Sequence, residues 1–282
     1  MALKKKRDIK IMGIINCSKE SFYIPSIKTR NDDISSYTKK LENEGADFLD
    51  IGGMSTAPYL DTIISPEKEI KRLGNAVKAI KKASDLPLSI DTPRSIVAEN
   101  AISYGVDIIN DVCGLKYDDN MGEIVAKYGV KIILGAYSKK RQISIKGDIN
   151  STSTLLQESI DKAIDSGIKN RNIILDPSIG FFRQQGKNPF FTKIDRPWYL
   201  RDLDIISEIK KLMELRFPSC VSISRKSFIG EILNLKPEER LSPSLILEAL
   251  AIINGINIIR THDVLHTAQM LKVLNRFDSI QV

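Results

Sequence analysis

Eight repeats of a short β-branched run followed by a stretch with helical apolar spacing constrain the fold of this chain most. Strands are indicated at residues 9–16, 46–53, 87–92, 107–112, 130–136 and 172–178, in a run from Cys220 that stops at Arg225 and Lys226, and at 256–262. Helices are indicated at roughly 33–44, 65–84, 93–105, 121–127, 154–166, 203–215, 244–254 and 264–275. This alternation predicts an α/β fold, a (β/α)8 TIM barrel, with an open doubly wound sheet as the alternative.

Two helix starts carry a recognisable capping pattern. Ser65-Pro66 and Thr92-Pro93 each place a hydroxyl where an N-cap is expected and a proline in the first turn. Glycine at position 45 or 105 follows the apolar spacing of the helix before it, as is typical of a helix end.

Length and charge favour one domain over residues 1–282, with residues 1–8 as a basic leader. The net charge of +7 is spread along the chain, and its only clusters are residues 4–7 and 139–141. A nucleic-acid partner is therefore not expected, whereas a basic surface would attract small phosphorylated substrates.

The three cysteines, Cys17, Cys113 and Cys220, lie in or just after apolar runs and lack metal-ligand spacing. They are expected to be buried reduced thiols, as suits a cytoplasmic protein. No stretch approaches 18 apolar residues and no signal-type segment follows the charged start, so neither membrane insertion nor export is expected.

Polar side chains gather where the predicted strands end. They are Asn16, Thr56, Asp91, Asn110, Asp176, Lys226, Arg260 and His262. In a parallel barrel these ends converge on one rim. Each residue alone has an ordinary structural explanation, such as closing a turn or capping a helix. Together they require a polar partner, because an unpaired buried polar group costs about 1–3 kcal/mol.

The rim chemistry predicts a ligand with two different ends. Carboxylates and amides on strands three, four and six suit a flat heterocycle with donors and acceptors, whereas Arg260 and His262 suit an anion such as pyrophosphate. The long connection 181–201 mixes aromatic and basic residues, including Arg183 and Lys187. It is either a substrate-side loop or a loop that packs its own aromatics on the barrel.

Seven motifs, in order along almost the whole chain, resemble those of dihydropteroate synthase, a pterin-binding TIM barrel. They span residues 12–22, 45–58, 89–92, 107–112, 175–180, 224–230 and 260–263, and the Ser-Arg-Lys-Ser-Phe run from Ser224 is the most specific. The resemblance implies that an arylamine attacks the methylene of 6-hydroxymethyl-7,8-dihydropterin pyrophosphate and that pyrophosphate leaves.

The resemblance also implies roles for the rim residues, with Lys226, Asp91 and Arg260 as the catalytic residues. In the family the pterin would be held by Asp91, Asn110, Asp176 and Lys226, and the pyrophosphate by Asn16, Thr56, Arg260 and His262. It further implies Mg²⁺ near Asn16 and a homodimer. The apolar faces of residues 245–253 and 264–274 are compatible with dimerisation but equally suit packing on the barrel.

Two loops depart from the family pattern. The second loop has Met-Ser-Thr-Ala-Pro at residues 54–58 where Glu-Ser-Thr-Arg-Pro is usual, and residues 19–25 of the first loop also differ. Ser178 stands where glycine is usual. The acceptor is therefore either p-aminobenzoate or a larger arylamine such as a ribofuranosyl-aminobenzene phosphate. Arg183, Lys187 or residues 139–141 would meet the phosphate of the larger one.

Two other classes of function stay open. The pterin-binding domains of corrinoid methyltransferases are similar barrels, but they lack the Ser-Arg-Lys-Ser-Phe and Arg-x-His residues that this chain has. A catalytically silent pterin-binding paralogue is the other alternative, and release of pyrophosphate distinguishes an enzyme from it.

Overall fold

Eight parallel strands form the barrel that the sequence predicts, in a computed structural model that describes residues 8–20, 23–140 and 144–280. The strands are β1 (Lys10–Asn16), β2 (Phe48–Gly52), β3 (Leu88–Asp91), β4 (Ile108–Asp111), β5 (Lys131–Gly135), β6 (Ile173–Asp176), β7 (Cys220–Val221) and β8 (Ile258–Thr261). They pair in the order β6-β5-β4-β3-β2-β1-β8-β7. The Leu175 N–H donates to the Pro218 carbonyl at 2.9 Å beside a bridge to Ser219, which joins β6 to β7. The (β/α)8 prediction is confirmed.

Nine α-helices lie in the described parts of the chain. They are α1 (Asn31–Glu44), α2 (Pro66–Ala83), α3 (Ser95–Ser103), α4 (Met121–Tyr128), α5 (Ile149–Asp165), α6 (Trp198–Glu208), α7 (Ser227–Leu233), α8 (Leu241–Ile253) and α9 (Val264–Ile280). Helix α5 begins earlier than predicted because the Asp148 carboxylate caps it, accepting from the Ser151 N–H at 2.8 Å. Helix α6 also begins earlier, and a 3₁₀ segment, Ile209–Leu215, follows it.

One predicted cap is confirmed and the other is wrong. The Ser65 hydroxyl accepts from the Lys68 N–H at the start of α2, as predicted. Helix α3, by contrast, begins only at Ser95, and Thr92 instead donates its hydroxyl proton to Glu69 Oε1 at 2.8 Å. Glu69 is fully buried, and a buried carboxylate needs hydrogen-bond donors more than an exposed helix start needs a cap.

The barrel interior explains why a polar rim lies at one end. One apolar layer inside the barrel comprises Met12, Ile108, Ile133, Ile174, Cys220 and Ile258. Alternate residues of a strand share a face, so the next inward position lies two residues further along. On β4, β6 and β8 that position holds Asn110, Asp176 and Arg260. The polar rim therefore lies directly above a packed apolar floor.

The connection 181–201 partly packs its own aromatics, as one of the two interpretations predicted. Phe182 and Phe190 are fully buried, and a two-residue ladder pairs Phe182–Arg183 with Thr192–Lys193. Phe190 packs with Met54, Cys113 and Tyr137. The connection is therefore a folded wall of the rim.

Further expectations from the sequence concern the cysteines, membrane-spanning helices and the two basic clusters. All three cysteines are buried, reduced thiols, as predicted. Within the described ranges, no helix combines the length and apolar character needed to cross a membrane. Residues 1–7 of the predicted basic leader, and Arg141 of the second basic cluster, lie outside the described residues.

Stability is expected to fall as pH rises from about 4.5 to 8 because of Glu248. This side chain is fully buried in α8, accepts from the Thr267 hydroxyl of α9 at 2.9 Å, and has its pKa raised from 4.5 to about 8 by burial. The folded state therefore keeps a proton that the unfolded state releases, which lowers the unfolding free energy by at most ~1.4 kcal/mol per pH unit. Urea unfolding at pH 5 to 8 measures this slope.

The matched variant for this test is Glu248→Gln, which keeps the shape and removes the titration. It should flatten the slope by this amount, whereas Glu214→Gln, at an exposed site, should leave it unchanged. An unaltered slope in Glu248→Gln would contradict the assignment.

Candidate active site

The predicted rim residues line two cavities at the carboxyl ends of the strands. The first cavity, about 60 Å³, includes Asn16, Thr56, Asp91, Lys226, Arg260 and His262 in its lining. The second, about 20 Å³, includes Asp91, Asn110, Asp176, Ser178, Ser222 and Arg260. Because Asp91, Phe181 and Arg260 line both, the cavities are neighbours. The structure thus brings together all eight rim residues predicted from the sequence.

Arg260 connects the two cavities through two carboxylates. Its Nε donates to Asp50 Oδ2 at 2.6 Å, its Nη2 donates to Asp91 Oδ2 at 3.0 Å, and its Nη1 lies 3.4 Å from Ser222 Oγ. Asn110 Nδ2 also approaches Asp50 Oδ2, at 3.4 Å. The predicted anion-binding guanidinium is therefore held in place by the protein's own carboxylates.

Sequence reasoning missed Asp50, which lies in the middle of β2 rather than at its end. The side chain is fully buried, and the signal that could have found it is period-two alternation. Phe48 packs on the interior apolar layer, and the next inward position on β2 is Asp50.

The second cavity presents acceptors to a ligand. Burial raises the pKa of Asp91 to about 7, with Arg260 opposing and Asp50 reinforcing the shift. Burial also raises the pKa of Asp176, whose Oδ1 accepts from the Ser178 N–H at 2.7 Å. Asp91 Oδ1 is buried and has no hydrogen-bond partner among the described residues. A ligand with N–H donors would satisfy such oxygens.

The neighbouring cations Arg225 and Lys226 have different positions. Arg225 adopts a left-handed backbone conformation, with φ of 56°. Its Nε and Nη2 each donate to a carboxylate oxygen of Asp263 at 2.8 Å. This bidentate pair fixes Arg225 on the barrel wall, whereas Lys226 lines the first cavity.

Lys226 lies against the loop after β6. Its Nζ is 4.4 Å from the Phe181 ring centroid, and burial lowers its pKa to about 8, with Arg260 adding to the shift. Gly180, at φ of +86°, leaves room for this chain, since a Cβ there would lie 3.0 Å from Lys226 Cδ. A larger residue at position 180 would strain the backbone at this φ, and the Lys226 side chain would have to shift by a few tenths of an ångström.

His262 lies in the first cavity as a neutral group. Burial lowers the pKa of its imidazole well below the usual value, and Arg260 adds to the effect. The ring centroid lies 5.0 Å from that of Tyr23. At neutral pH His262 is therefore a hydrogen-bonding group rather than the second cation of a pair.

In the first and second loops, residues that differ from the family pattern form contacts with other parts of the chain. Met54, where an acid is usual, is buried in the cluster with Phe190 and so joins the second loop to the folded connection. In the first loop, both Glu20 oxygens accept from Arg72 of α2 at 3.1 Å, and Arg72 also donates to the Gly53 carbonyl. This ion pair lowers the pKa of Glu20 to about 2.

Of the two cations proposed for the acceptor, the structure brings only Arg183 to a cavity. Arg183 is buried and lines a side cavity next to the first one. Lys187 is exposed and does not line the first, second or side cavity, although its backbone N–H donates to the Pro58 carbonyl at 2.7 Å.

Comparison with known proteins agrees with the barrel and its rim. A family model described as "Pterin binding enzyme" matches residues 12–262. The dihydropteroate synthase of Clostridium beijerinckii is 36% identical over 264 residues, 93% of this chain and 92% of that relative. A Coxiella burnetii dihydropteroate synthase solved with pteroic acid has a TM-score of 0.84 at 31% identity, covering 97% of this chain and 94% of that one. The Xanthomonas albilineans enzyme with 4-aminobenzoic acid has a TM-score of 0.82 at 28% identity, covering 95% and 93%.

The fold, the polar rim and the family match define a barrel of the pterin-binding class. Two relatives that align over 92% and 90% of their length narrow this class, because both are named dihydropteroate synthase. The chain belongs to the dihydropteroate synthase family.

Proposed function

We propose that this protein condenses 6-hydroxymethyl-7,8-dihydropterin pyrophosphate with p-aminobenzoate and releases pyrophosphate. The observation that carries the proposal is the adjacency of the two cavities. The second cavity offers buried carboxylate and amide groups to a heterocycle, and the first cavity contains Lys226, which would face an anion. The relatives' names and the complexes with pteroic acid and 4-aminobenzoic acid support it.

The reaction needs positioning and charge rather than a covalent nucleophile. The amine lone pair forms a C–N bond to the pterin methylene while the C–O bond breaks, its electrons leave with pyrophosphate, and the amine loses a proton. Asp91 and Asp176 would hold the pterin through its N–H groups. Lys226 and Arg260 would stabilise negative charge on the departing group, at a position fixed before reaction.

A magnesium ion would fit beside Asn16. Asn16 Nδ2 donates to Ser26 Oγ at 2.7 Å, so its Oδ1 is the group available as an oxygen ligand in the first cavity. No cluster of three or more His, Cys, Asp or Glu capable of holding a metal occurs within the described residues. This donor set suits Mg²⁺, which keeps water and binds substrate phosphates beside one or two protein oxygens. When bound it would neutralise the pyrophosphate.

The experiment that tests the function measures pyrophosphate release from the pterin substrate with each amine. Turnover with p-aminobenzoate is the expected result. Turnover only with a ribofuranosyl-aminobenzene phosphate would replace the acceptor, and no release with either amine would favour the silent paralogue. Chelating Mg²⁺ with EDTA should weaken binding of inorganic pyrophosphate in calorimetry; equal binding would exclude the ion.

A homodimer through α8 and α9 is the proposed assembly. These helices expose Ile246, Leu250 and Ile253 on α8 and Val273 and Phe277 on α9, with exposures from 45% to 69%. Exposed apolar groups at this density are typical of an interface. The double variant Ile246→Lys, Phe277→Lys should halve the mass measured by light scattering.

The control for this surface is Ile96→Lys, a similarly exposed site on α3 that should leave the mass unchanged. A wild-type protein that is monomeric at micromolar concentration would exclude the dimer.

A cytoplasmic setting is also proposed. Cys17, Cys113 and Cys220 are all buried, reduced thiols. Burial raises the pKa of Cys17 to about 12 and that of Cys220 well above the usual value, so both stay protonated. Such thiols suit a reducing compartment.

A further inference from the structure

The loop after β6 begins with a turn, residues 177–181, that contributes to the linings of both the first and the second cavity. The Ser178 N–H donates to Asp176 Oδ1 at 2.7 Å, in the second cavity. The Phe181 ring centroid lies 4.4 Å from Lys226 Nζ, in the first. The conformation of this turn therefore sets the surroundings of one carboxylate and one ammonium group of the site.

Ser178 has a strained backbone in this turn. Its φ is 56°, in the left-handed region, which glycine adopts freely and which a residue with a Cβ adopts only at a cost in energy. The Ser178 hydroxyl does not offset this cost, because it is buried and has no hydrogen-bond partner within the ranges that the structure describes. A contact from outside the turn is therefore needed to hold it.

Arg201, on α6, supplies that contact through two carbonyl groups of the turn. Its Nη2 donates to the Pro177 carbonyl at 3.0 Å, and its Nη1 donates to the Ser178 carbonyl at 3.3 Å. These carbonyls belong to the two peptide groups on either side of the Ser178 Cα. The Pro177 carbonyl also shares its planar peptide group with the Ser178 N–H. Arg201 therefore fixes the direction of the N–H that reaches Asp176.

Arg201 is itself held firmly by other parts of the chain. Its remaining donors reach the Gly147 carbonyl at 3.1 Å, Thr152 Oγ1 at 3.0 Å and Asp202 Oδ1 at 3.0 Å. Its guanidinium carbon lies 3.5 Å from the Phe182 ring centroid. All five N–H groups of the guanidinium thus have acceptors, and Asp202, which is also fully buried, balances the charge.

We propose that Arg201 is a positioning residue for the reaction, which holds the turn 177–181 so that Asp176 and Lys226 face their ligands. The proposal rests on the proposed function for the reaction that these two side chains serve. Arg201 lies outside the linings of the first and second cavities, so its effect on a ligand is exerted through the turn. A buried guanidinium with five acceptors could also serve the fold alone, and the test separates the two roles.

The test combines Arg201→Lys with Ser178→Gly. Arg201→Lys keeps the charge but replaces five donors in a planar fork by three on one atom. It should lower both kcat/KM and the calorimetric affinity for the pterin pyrophosphate roughly 10- to 100-fold, because small displacements of positioned groups cost up to about 10²-fold in rate. Ser178→Gly removes the backbone strain that Arg201 opposes. In the Ser178→Gly background the loss caused by Arg201→Lys should therefore be smaller, by about fivefold or more.

The matched control is Arg216→Gly, which relieves a left-handed backbone of the same kind, with φ of 60°, at an exposed residue outside both linings. In this background Arg201→Lys should cost as much kcat/KM and affinity as it does in the wild type. If both glycine substitutions reduced the loss equally, or if neither did, Arg201 would serve the fold alone and the proposal would be overturned.

Thr152→Val provides a second test in case Arg201→Lys does not fold. It keeps the guanidinium, is close in shape, and removes one of the acceptors that hold Arg201. It should lower kcat/KM and affinity about three- to tenfold, and by less in the Ser178→Gly background. No loss, or an equal loss in both backgrounds, would overturn the proposal. If the wild type binds the pterin pyrophosphate without releasing pyrophosphate, the proposed function fails. The affinities then still decide the role of Arg201, because binding needs no turnover.

Discussion

Lys226→Ala is expected to lower kcat/KM for the pterin pyrophosphate by about 10²- to 10³-fold, the size of effect seen when one fixed transition-state donor is removed. Lys226 Nζ lines the first cavity, 4.4 Å from the Phe181 ring centroid, in a place that Gly180 leaves free. Among the residues that the structure describes, Lys226 is the one lysine in the linings of the first and second cavities. Pyrophosphate release measures the loss, and calorimetry with the pterin substrate separates binding from chemistry.

The pH dependence provides a second readout for Lys226. Its pKa of about 8 means that the charged form predominates below pH 8 and is lost above it. Binding of the pyrophosphate group should therefore weaken as pH rises through 8 in the wild type, and this limb should be missing in Lys226→Ala. Unchanged binding and turnover in Lys226→Ala would show that the assignment is wrong.

Arg225→Ala is the contrasting variant, because its side chain forms the pair with Asp263 on the barrel wall. It should destabilise the fold rather than act selectively on the pyrophosphate. The family resemblance assigned a role to Lys226 and not to Arg225, but the basic dipeptide itself does not separate them, since it does not encode the left-handed backbone at Arg225.

The gathering of polar residues at one rim was predictable from the sequence, because two simple regularities determine it. Eight alternating units predicted the barrel, and parallel barrel strands bring their ends to one rim, where Asn16, Asp91, Asn110 and Asp176 lie. The end of strand seven was harder to predict, because its ladder covers only Cys220–Val221 although the apolar alternation continues to Ile223. The alternating burial of side chains therefore extends beyond the residues that pair with the neighbouring strand.

Tertiary contacts decided the features that the sequence did not predict. Thr92 binds Glu69 rather than capping α3, because a buried carboxylate from α2 meets it there. Arg183 and Lys187 looked alike as cations of one loop, but Arg183 lies in the ladder with Lys193, whereas Lys187 is exposed. Neither outcome follows from local propensity, since both depend on residues distant in the chain.

Asp50→Asn is expected to destabilise the protein by about 3 kcal/mol at neutral pH, as is typical when one partner of a buried ion pair is removed. Asp50 is fully buried and accepts from Arg260 Nε at 2.6 Å, and the amide keeps its shape but not its charge. Arg260 would be left with Asp91 alone as an ionic partner among the described residues. Urea unfolding of both proteins measures the difference.

If Asp50 also acts on the site, its replacement should change the pKa of Asp91. The Asp50 charge contributes to raising the pKa of Asp91, so Asp50→Asn should lower that pKa and move the acid limb of the kcat/KM profile to lower pH. Ser222→Ala is the matched control, because its hydroxyl lies 3.4 Å from Arg260 Nη1 and carries no charge, so less than about 1 kcal/mol should be lost. If Asp50→Asn were no more destabilising than Ser222→Ala and left the acid limb in place, the carboxylate would not be what holds Arg260 at the junction of the two cavities.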